Sequence, residues 1–261
     1  MRTVLIIGIG AGDPEYLTVQ AIKALNRADV FFVMDKREET GDLMRMRREI
    51  CERYIEGHPY RVIEIDDPAR DRVPQDAPGY RASVEAWHAA RAAAWEAAIR
   101  DEVGEDGVGA FLVWGDPSLY DSTIGVVDRV RTRGTVPIAV EVIPGITSLQ
   151  ALAARHAITL NQVGGAVQIT TGRRLTAGMP READDVAVLL DGDTAFRHVL
   201  DEGLDIYWGA YVGTPDELLV SGPLAEVAEE IARARTEARS RKGWIMDAYL
   251  LRRSSGTADR A

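Results

Sequence analysis

The chain has 261 residues, 46% of them hydrophobic and 28% charged, with a formal net charge of −10 at pH 7. Such a composition belongs to a globular protein with enough chain to bury about 75% of its unfolded surface, in one large domain or two smaller ones. The acidic balance opposes nucleic-acid binding, and the single cysteine excludes an intrachain disulfide and a cysteine-cluster metal site. The apolar run from Val4 to Ile9 is too short for a membrane span or a secretory signal, so a cytoplasmic protein without a membrane partner is expected. Cys51 is read as a small buried hydrophobe, and no metal chemistry is indicated.

Residues 3–9 form an unbroken apolar run, the pattern of a strand covered on both faces in a parallel sheet. Gly8-Ile9-Gly10-Ala11-Gly12-Asp13-Pro14 follows as a loop. Pro14 suits the first position of a helix whose apolar stripe is Leu17, Ala21, Ala24 and Leu25. Val30 to Met34 reads as a second strand, a basic helix spans Asp42 to Tyr54, and Arg61 to Ile65 reads as a third strand. This alternation is that of a doubly wound α/β fold. Three prolines and six charges between Asp66 and Gly79 predict a surface loop or a mobile lid. Val84, Trp87, Arg91, Ala94, Trp95 and Ala98 then keep helical spacing, with Arg91 as the polar exception and both tryptophans read as core.

Val108–Trp114 and Ile138–Ile143 supply two further buried strands and complete a first domain, residues 1–155. Residues 156–165 read as a linker. A second α/β domain with a mixed sheet is expected over 166–253, with strands at Val167–Thr171, Val186–Leu190, Ile206–Tyr211, near Leu218–Val220 and at Trp244–Leu251. Helices are expected at about 194–200 and 224–238, and the tail 254–261 is expected to be disordered.

Three loops close strands of the first domain: the glycine loop, Trp114-Gly115-Asp116-Pro117, and Pro144-Gly145-Ile146-Thr147-Ser148. At one edge of a parallel sheet they would line a single crevice. The first invites comparison with a dinucleotide fingerprint, with Asp35 as the ribose acid. The comparison fails at the third glycine, where the chain has Asp13 followed by Pro14, so phosphate capture is disfavoured. Asp13 is left to cap the helix or meet a polar ligand group. Thr147-Ser148-Leu149-Gln150 also matches a capping box, which gives Thr147 a structural reading beside a binding one.

In combination, GIGAGDPEYLT at 8–18, WGDPSLY at 114–120, PGITS at 144–148 and GTPDELLVSG at 213–222 resemble the tetrapyrrole (corrin and porphyrin) methylases, over roughly residues 3–252. The resemblance implies two α/β domains of the class III methyltransferase type, with S-adenosylmethionine folded between them and S-adenosylhomocysteine as product. It places Gly10, Ala11, Trp114, Gly115, Asp116, Leu119, Thr147 and Ser148 at the cofactor, joined by Leu190, Asp191, Gly213 and Trp244 (or Gly243) from the second domain. Ala11 replaces a usual proline, and Asp191 stands where the family often has methionine. WGDPSLYDST, ITTGRRL, YWGAYVGTPDE and KGWIMDAYLLRR are most similar to the members that methylate ring carbon 1 of precorrin-5 and release acetate to give precorrin-6A, in aerobic cobalamin biosynthesis. A homodimer is expected by the same analogy.

Methyl transfer from a sulfonium needs in-line alignment rather than a covalent enzyme nucleophile. Deprotonation of the ring and attack of water on the acetyl group leave room for a general base. Asp13 and Asp116 are the candidates placed by motif, and His58, His88, His156 and His198 are weaker ones. The polycarboxylate tetrapyrrole calls for local arginines on an acidic protein. Arg173 and Arg174 are assigned to it, while Arg45, Arg47 and Arg48 fit a solvated helix face better. Three other readings stay open: another precorrin methylase, a nicotinamide-dependent oxidoreductase using Gly8, Gly10 and Asp35, and a non-catalytic tetrapyrrole carrier.

Overall fold

The computed structural model describes residues 1–34, 41–66, 68 and 77–253. Asp35, most of the Asp66–Gly79 segment and the tail 254–261 lie outside the described residues. Contacts divide the chain into two units, Met1–Gly10 with Pro14–Ile146, and Ala11–Asp13 with Thr147–Ala261.

The first unit contains β1 (Arg2–Gly8), α1 (Val19–Leu25), β2 (Val30–Val33), α2 (Gly41–Tyr54), β3 (Arg61–Glu64), α3 (Ala77–Glu102), β4 (Val108–Val113), α4 (Thr123–Arg133) and β5 (Ile138–Ile143). Its five strands are all parallel, in the order β3-β2-β4-β1-β5. Strand β1, flanked by β4 and β5, shows why an unbroken apolar run was needed. Val4 and Ile6 enter one core with Trp95, Ile99 and Val127, while Leu5 and Ile7 enter another with Ala21, Leu25 and Ile50. Alternate side chains thus serve opposite faces, and a polar residue on either would be buried without a partner.

Helix α1 starts later than Pro14 predicts. Pro14–Tyr16 forms one 3-10 turn, and Thr18 is the N-cap, its Oγ1 accepting from the Ala21 amide at 3.0 Å. Arg91 is buried in α3 because its guanidinium lies over Trp87 (4.5 Å) and Trp95 (5.2 Å) and donates to Ser122 Oγ at 3.0 Å. Cation–π contacts let a charge occupy an apolar stripe. Cys51 is buried, and burial followed by the neighbouring Glu52 charge pushes its thiol up to about 12, so it is unreactive.

The second unit contains α5 (Ser148–His156), β6 (Val167–Thr171), the single turn α6 (Gly172–Leu175), β7 (Asp185–Leu189), a 3-10 segment (Ala195–Glu202), β8 (Leu204–Ala210), β9 (Leu218–Pro223), α7 (Leu224–Lys242) and β10 (Asp247–Arg253). The sheet order is β6-β7-β10-β8-β9, with β6 and β7 parallel and the other pairs antiparallel, a mixed sheet. One face packs Val186, Val188, Ile206, Trp208, Tyr249 and Leu251 against Leu224, Ala228 and Ile231 of α7 and Phe196 and Val199 of the 3-10 segment. Three of these are large aromatic side chains that are fully buried, each worth about 1.5–3 kcal/mol on transfer from water.

The division between units falls at Ile146/Thr147, earlier than a boundary near 155. Helix α5 packs on β8, β9 and β10. A β-carbon on Gly209 would lie 2.7 Å from Leu152 Cδ1, and His156 Nε2 sits 3.0 Å from the Trp208 carbonyl. Trp244, read as the start of a strand, instead precedes β10, because Gly243 ends α7 in the left-handed region at φ +77 and a short loop intervenes. Among the described residues no helix is long and apolar enough to cross a membrane.

Candidate functional site

The three motif-bearing strands of the first unit are immediate neighbours, so their C-terminal loops meet at one sheet edge. Gly10 and Gly115 form an isolated antiparallel bridge, with Gly115 N donating to the Gly10 carbonyl at 2.8 Å and Gly10 N to the Gly115 carbonyl at 3.3 Å. A β-carbon on Gly8 would lie 2.6 Å from Gly145 N and 2.9 Å from the Gly115 carbonyl oxygen. Glycine is required here for close backbone approach, and at Gly10 and Gly115 also for positive φ (+79 and +67).

Asp116 fastens two of these loops. Its Oδ2 accepts from Gly145 N and its Oδ1 from Ser118 N, each at 2.8 Å, and the Ser118 hydroxyl donates to the same Oδ1. Partial burial raises its pKa, but the Ser118 hydroxyl and the two amides outweigh burial and hold the carboxyl below the usual range. A carboxylate so stabilised is a poor proton acceptor, which favours a loop-organising role over that of a general base. Trp114 points a buried indole N–H that finds no hydrogen-bond partner among the described residues. A buried donor left unmade is costly, so this one is suited to a ligand acceptor. Leu119 is half-buried just beyond, its amide donating to the Asp116 carbonyl at 3.2 Å.

In the second unit, β6 and β7 end at the same sheet edge where β10 begins and β8 ends, as the pairs Thr171↔Leu189, Ala248↔Leu189 and Asp247↔Ala210 show. Arg173 and Arg174, Leu190 and Asp191, Gly213, and Trp244 all follow or precede those strand ends, so the sheet brings them to one rim. Arg173 and Arg174 are exposed and line an open depression of about 450 Å³ with Gln168, Thr170 and Met179. Leu190 is exposed at φ +52, whereas Asp191 turns inward. Both Asp191 carboxylate oxygens accept bonds from within the unit, from Asp193 N, Ala195 N and Tyr249 Oη.

Gly213, at φ +82, donates its amide to Glu217 Oε2 at 2.8 Å, and Glu217 Oε1 also receives Arg155 Nε of α5 at 2.7 Å. Tyr211 donates its hydroxyl to the Trp244 carbonyl at 2.5 Å, with the two rings edge to face at 5.2 Å. Ala11–Asp13 belongs here by its contacts, and a β-carbon on Gly12 would lie 2.9 Å from Thr214 Cγ2. Thr147 caps α5 as its sequence predicts, accepting from Leu149 N at 3.2 Å, and its amide donates to Gln150 Oε1 at 3.2 Å. Ser148 begins that helix.

Two histidines are spoken for by backbone: His58 Nε2 lies 3.1 Å from the Ala28 carbonyl and His156 Nε2 lies 3.0 Å from that of Trp208. His88 rests on Trp87 with ring centroids 5.1 Å apart. Asp13 is half-buried, with the three-residue segment that packs in the second unit. Arg47 and Arg48 edge a small apolar cavity of about 110 Å³ lined by Phe31, Met44, Cys51 and Leu112. Sequence reasoning missed Arg235, whose buried guanidinium donates to Asp247 Oδ2 (Nε, 2.9 Å) and to the Asp191 and Gly192 carbonyls. Its signal was present, because Leu224, Ala228, Ile231, Arg235 and Ala238 keep helical spacing on the buried face of α7.

Fold and strand-end loops together define a methylase: the model of the tetrapyrrole (corrin/porphyrin) methylases matches residues 3–228, and the chain belongs to that family. Within it, the chain is 52% identical over 255 residues to precorrin-6A synthase [deacetylating] of Sinorhizobium sp, covering 98% of this chain and 97% of that one. It is 28% identical over 181 residues to precorrin-2 C(20)-methyltransferase of Sinorhizobium sp, covering 69% and 68%. A solved structure of a cobalamin-synthesis-related protein (CobF) from Corynebacterium diphtheriae superposes with TM-score 0.83 at 38% identity, covering 98% of this chain and all of that one. The fold is shared with uroporphyrin-III C-methyltransferase of Thermus thermophilus complexed with S-adenosylhomocysteine, at TM-score 0.57 and 20% identity over 95% of this chain and 91% of that one.

Proposed function

We propose that the chain is an S-adenosylmethionine-dependent C-methyltransferase that methylates ring carbon 1 of precorrin-5 and releases acetate, giving precorrin-6A in cobalamin biosynthesis. The observation that carries this reading is near full-length similarity to a deacetylating precorrin-6A synthase, at 52% identity. The residues present fit the methyl donor. The orphan indole N–H of Trp114 offers a donor, and the exposed Leu190 offers apolar contact, to a ligand that is part heteroaromatic and part charged.

When bound, S-adenosylmethionine supplies an electrophilic methyl group on a sulfonium. Trp114, Gly115 and Leu119 in the first unit, and Thr147, Ser148, Leu190, Gly213 and Trp244 in the second, are the proposed contacts. Asp116 and Glu217 keep two of these loops in place through the amides of Gly145 and Gly213. Arg173 and Arg174 are the proposed anchors for substrate carboxylates, since guanidinium–carboxylate bonds survive on an acidic protein where they are local and bidentate. Each turnover moves one methyl group to carbon and consumes one water as acetate leaves. No side chain described here is assigned as the base.

Incubating the enzyme with methyl-labelled S-adenosylmethionine and, separately, precorrin-2, precorrin-4 and precorrin-5 tests the assignment. Label in the precorrin-5 product alone is expected. Label in either of the others instead would reassign the chain to another methylase of the family.

A further inference from the structure

Leu190 departs from ordinary protein chemistry twice. It holds a left-handed backbone at φ +52, which residues with a side chain, asparagine and aspartate apart, seldom adopt, and its apolar side chain is 65% exposed. Strained, exposed apolar residues persist where the surroundings over-determine them. The device that does so is the next residue, Asp191, which is only 5% exposed. Its Oδ1 accepts from Asp193 N at 3.0 Å, and its Oδ2 accepts from Ala195 N at 2.8 Å and from Tyr249 Oη at 2.7 Å. Its carbonyl accepts from Arg235. The residue after Leu190 is therefore tied to its own turn, to the 3-10 segment, to β10 and to α7.

The same carboxylate supports the neighbouring turn. A β-carbon on Gly172 would fall 2.6 Å from Asp191 Cγ, so only glycine lets that turn seat against it, and Arg173 and Arg174 follow directly.

We propose that Asp191 is a positioning residue: its buried carboxylate holds Leu190 outward so that the leucine side chain contacts the nucleoside-bearing cofactor, and it seats the turn that presents Arg173 and Arg174. This rests on the reading of the β7 end as part of the cofactor site. It departs from an assignment of Asp191 as a contact, because the aspartate acts through Leu190.

The test is calorimetric titration with S-adenosylhomocysteine, with thermal unfolding in parallel, on Asp191→Asn, Leu190→Gly and the double variant. Asparagine keeps one oxygen for Ala195 N and Tyr249 Oη but turns an amide NH2 toward the Asp193 N–H, so the turn is freed while the core contacts stay. Each single variant is expected to bind about tenfold more weakly. Leu190→Gly should keep or raise the unfolding temperature, because glycine relieves the backbone strain. The double variant should bind no more weakly than the weaker single variant, as expected when one residue acts through the other. Wild-type affinity in Leu190→Gly, which removes only a strained exposed side chain, would overturn the proposal, as would losses that multiply in the double variant. Failure of the wild-type protein to bind S-adenosylhomocysteine would instead overturn the reading of the site, and the inference with it.

Discussion

Gly8 at the end of β1 and Gly145 after β5 are pressed together, so that a β-carbon on Gly8 would stand 2.6 Å from the Gly145 nitrogen. Backbone cannot give way as a flexible side chain can. Gly8→Ala is therefore expected to destabilise by at least about 1–3 kcal/mol, the scale of overpacking in a tight core. Gly125 in α4 meets nothing within 4 Å and has no positive φ, so Gly125→Ala should stabilise by about 0.4–1 kcal/mol. Urea unfolding of the two variants reads both signs, and equal midpoints would contradict the packing argument.

Asp116 gives a pH prediction. Its folded carboxyl lies below the ordinary value of about 3.9, so its contribution is present above that pH and is lost as pH falls through the lower folded value. Asp116→Asn should be less stable than wild type at pH 7, with the deficit shrinking as pH is lowered below about 4. A deficit independent of pH would mean that the charge of Asp116 does not matter to the Gly145 and Ser118 bonds.

Arg235 and Asp247 form an ion pair whose side chains are both buried. Burial pushes the Asp247 carboxyl up, and Arg235 is the largest influence opposing the rise. Removing it takes the countercharge from a buried carboxylate that keeps only the Trp208 indole N–H, and leaves the buried Asp191 carbonyl without its guanidinium, so Arg235→Ala should cost about 3–5 kcal/mol at neutral pH. With the aspartate pKa raised further, the ionised form carries that cost, and the deficit should narrow toward pH 4, near the unfolded pKa of about 3.9. Chemical denaturation at the two pH values measures it.

The first sheet was legible because β1, β2 and β4 are continuous apolar runs, a pattern that only a strand covered on both faces requires. The strand-end loops were legible as glycine and proline turns. What could not be read was which polar side chains face inward. Asp191 lies beside Leu190 in a turn, and nothing in the local pattern says that the leucine is exposed and the aspartate buried. That inversion is set by Tyr249 and Arg235, far along the chain. The packing of α5 was hidden for a similar reason: α5 follows β5 directly in sequence, and its contacts with β8 and β10 are long-range.

Arg173→Ala with Arg174→Ala removes two exposed cations and should leave thermal stability nearly unchanged. Tetrapyrrole binding should weaken while S-adenosylhomocysteine affinity stays nearly intact. Equal losses of both ligands in calorimetry would remove the arginines from the substrate site.

A single anaerobic reaction of the enzyme with precorrin-5 and S-adenosylmethionine has a stoichiometry that decides between these outcomes. One acetate is expected for each methyl group incorporated at ring carbon 1, with S-adenosylhomocysteine formed in equal amount. Methyl incorporation without acetate, or no incorporation at all, would contradict it.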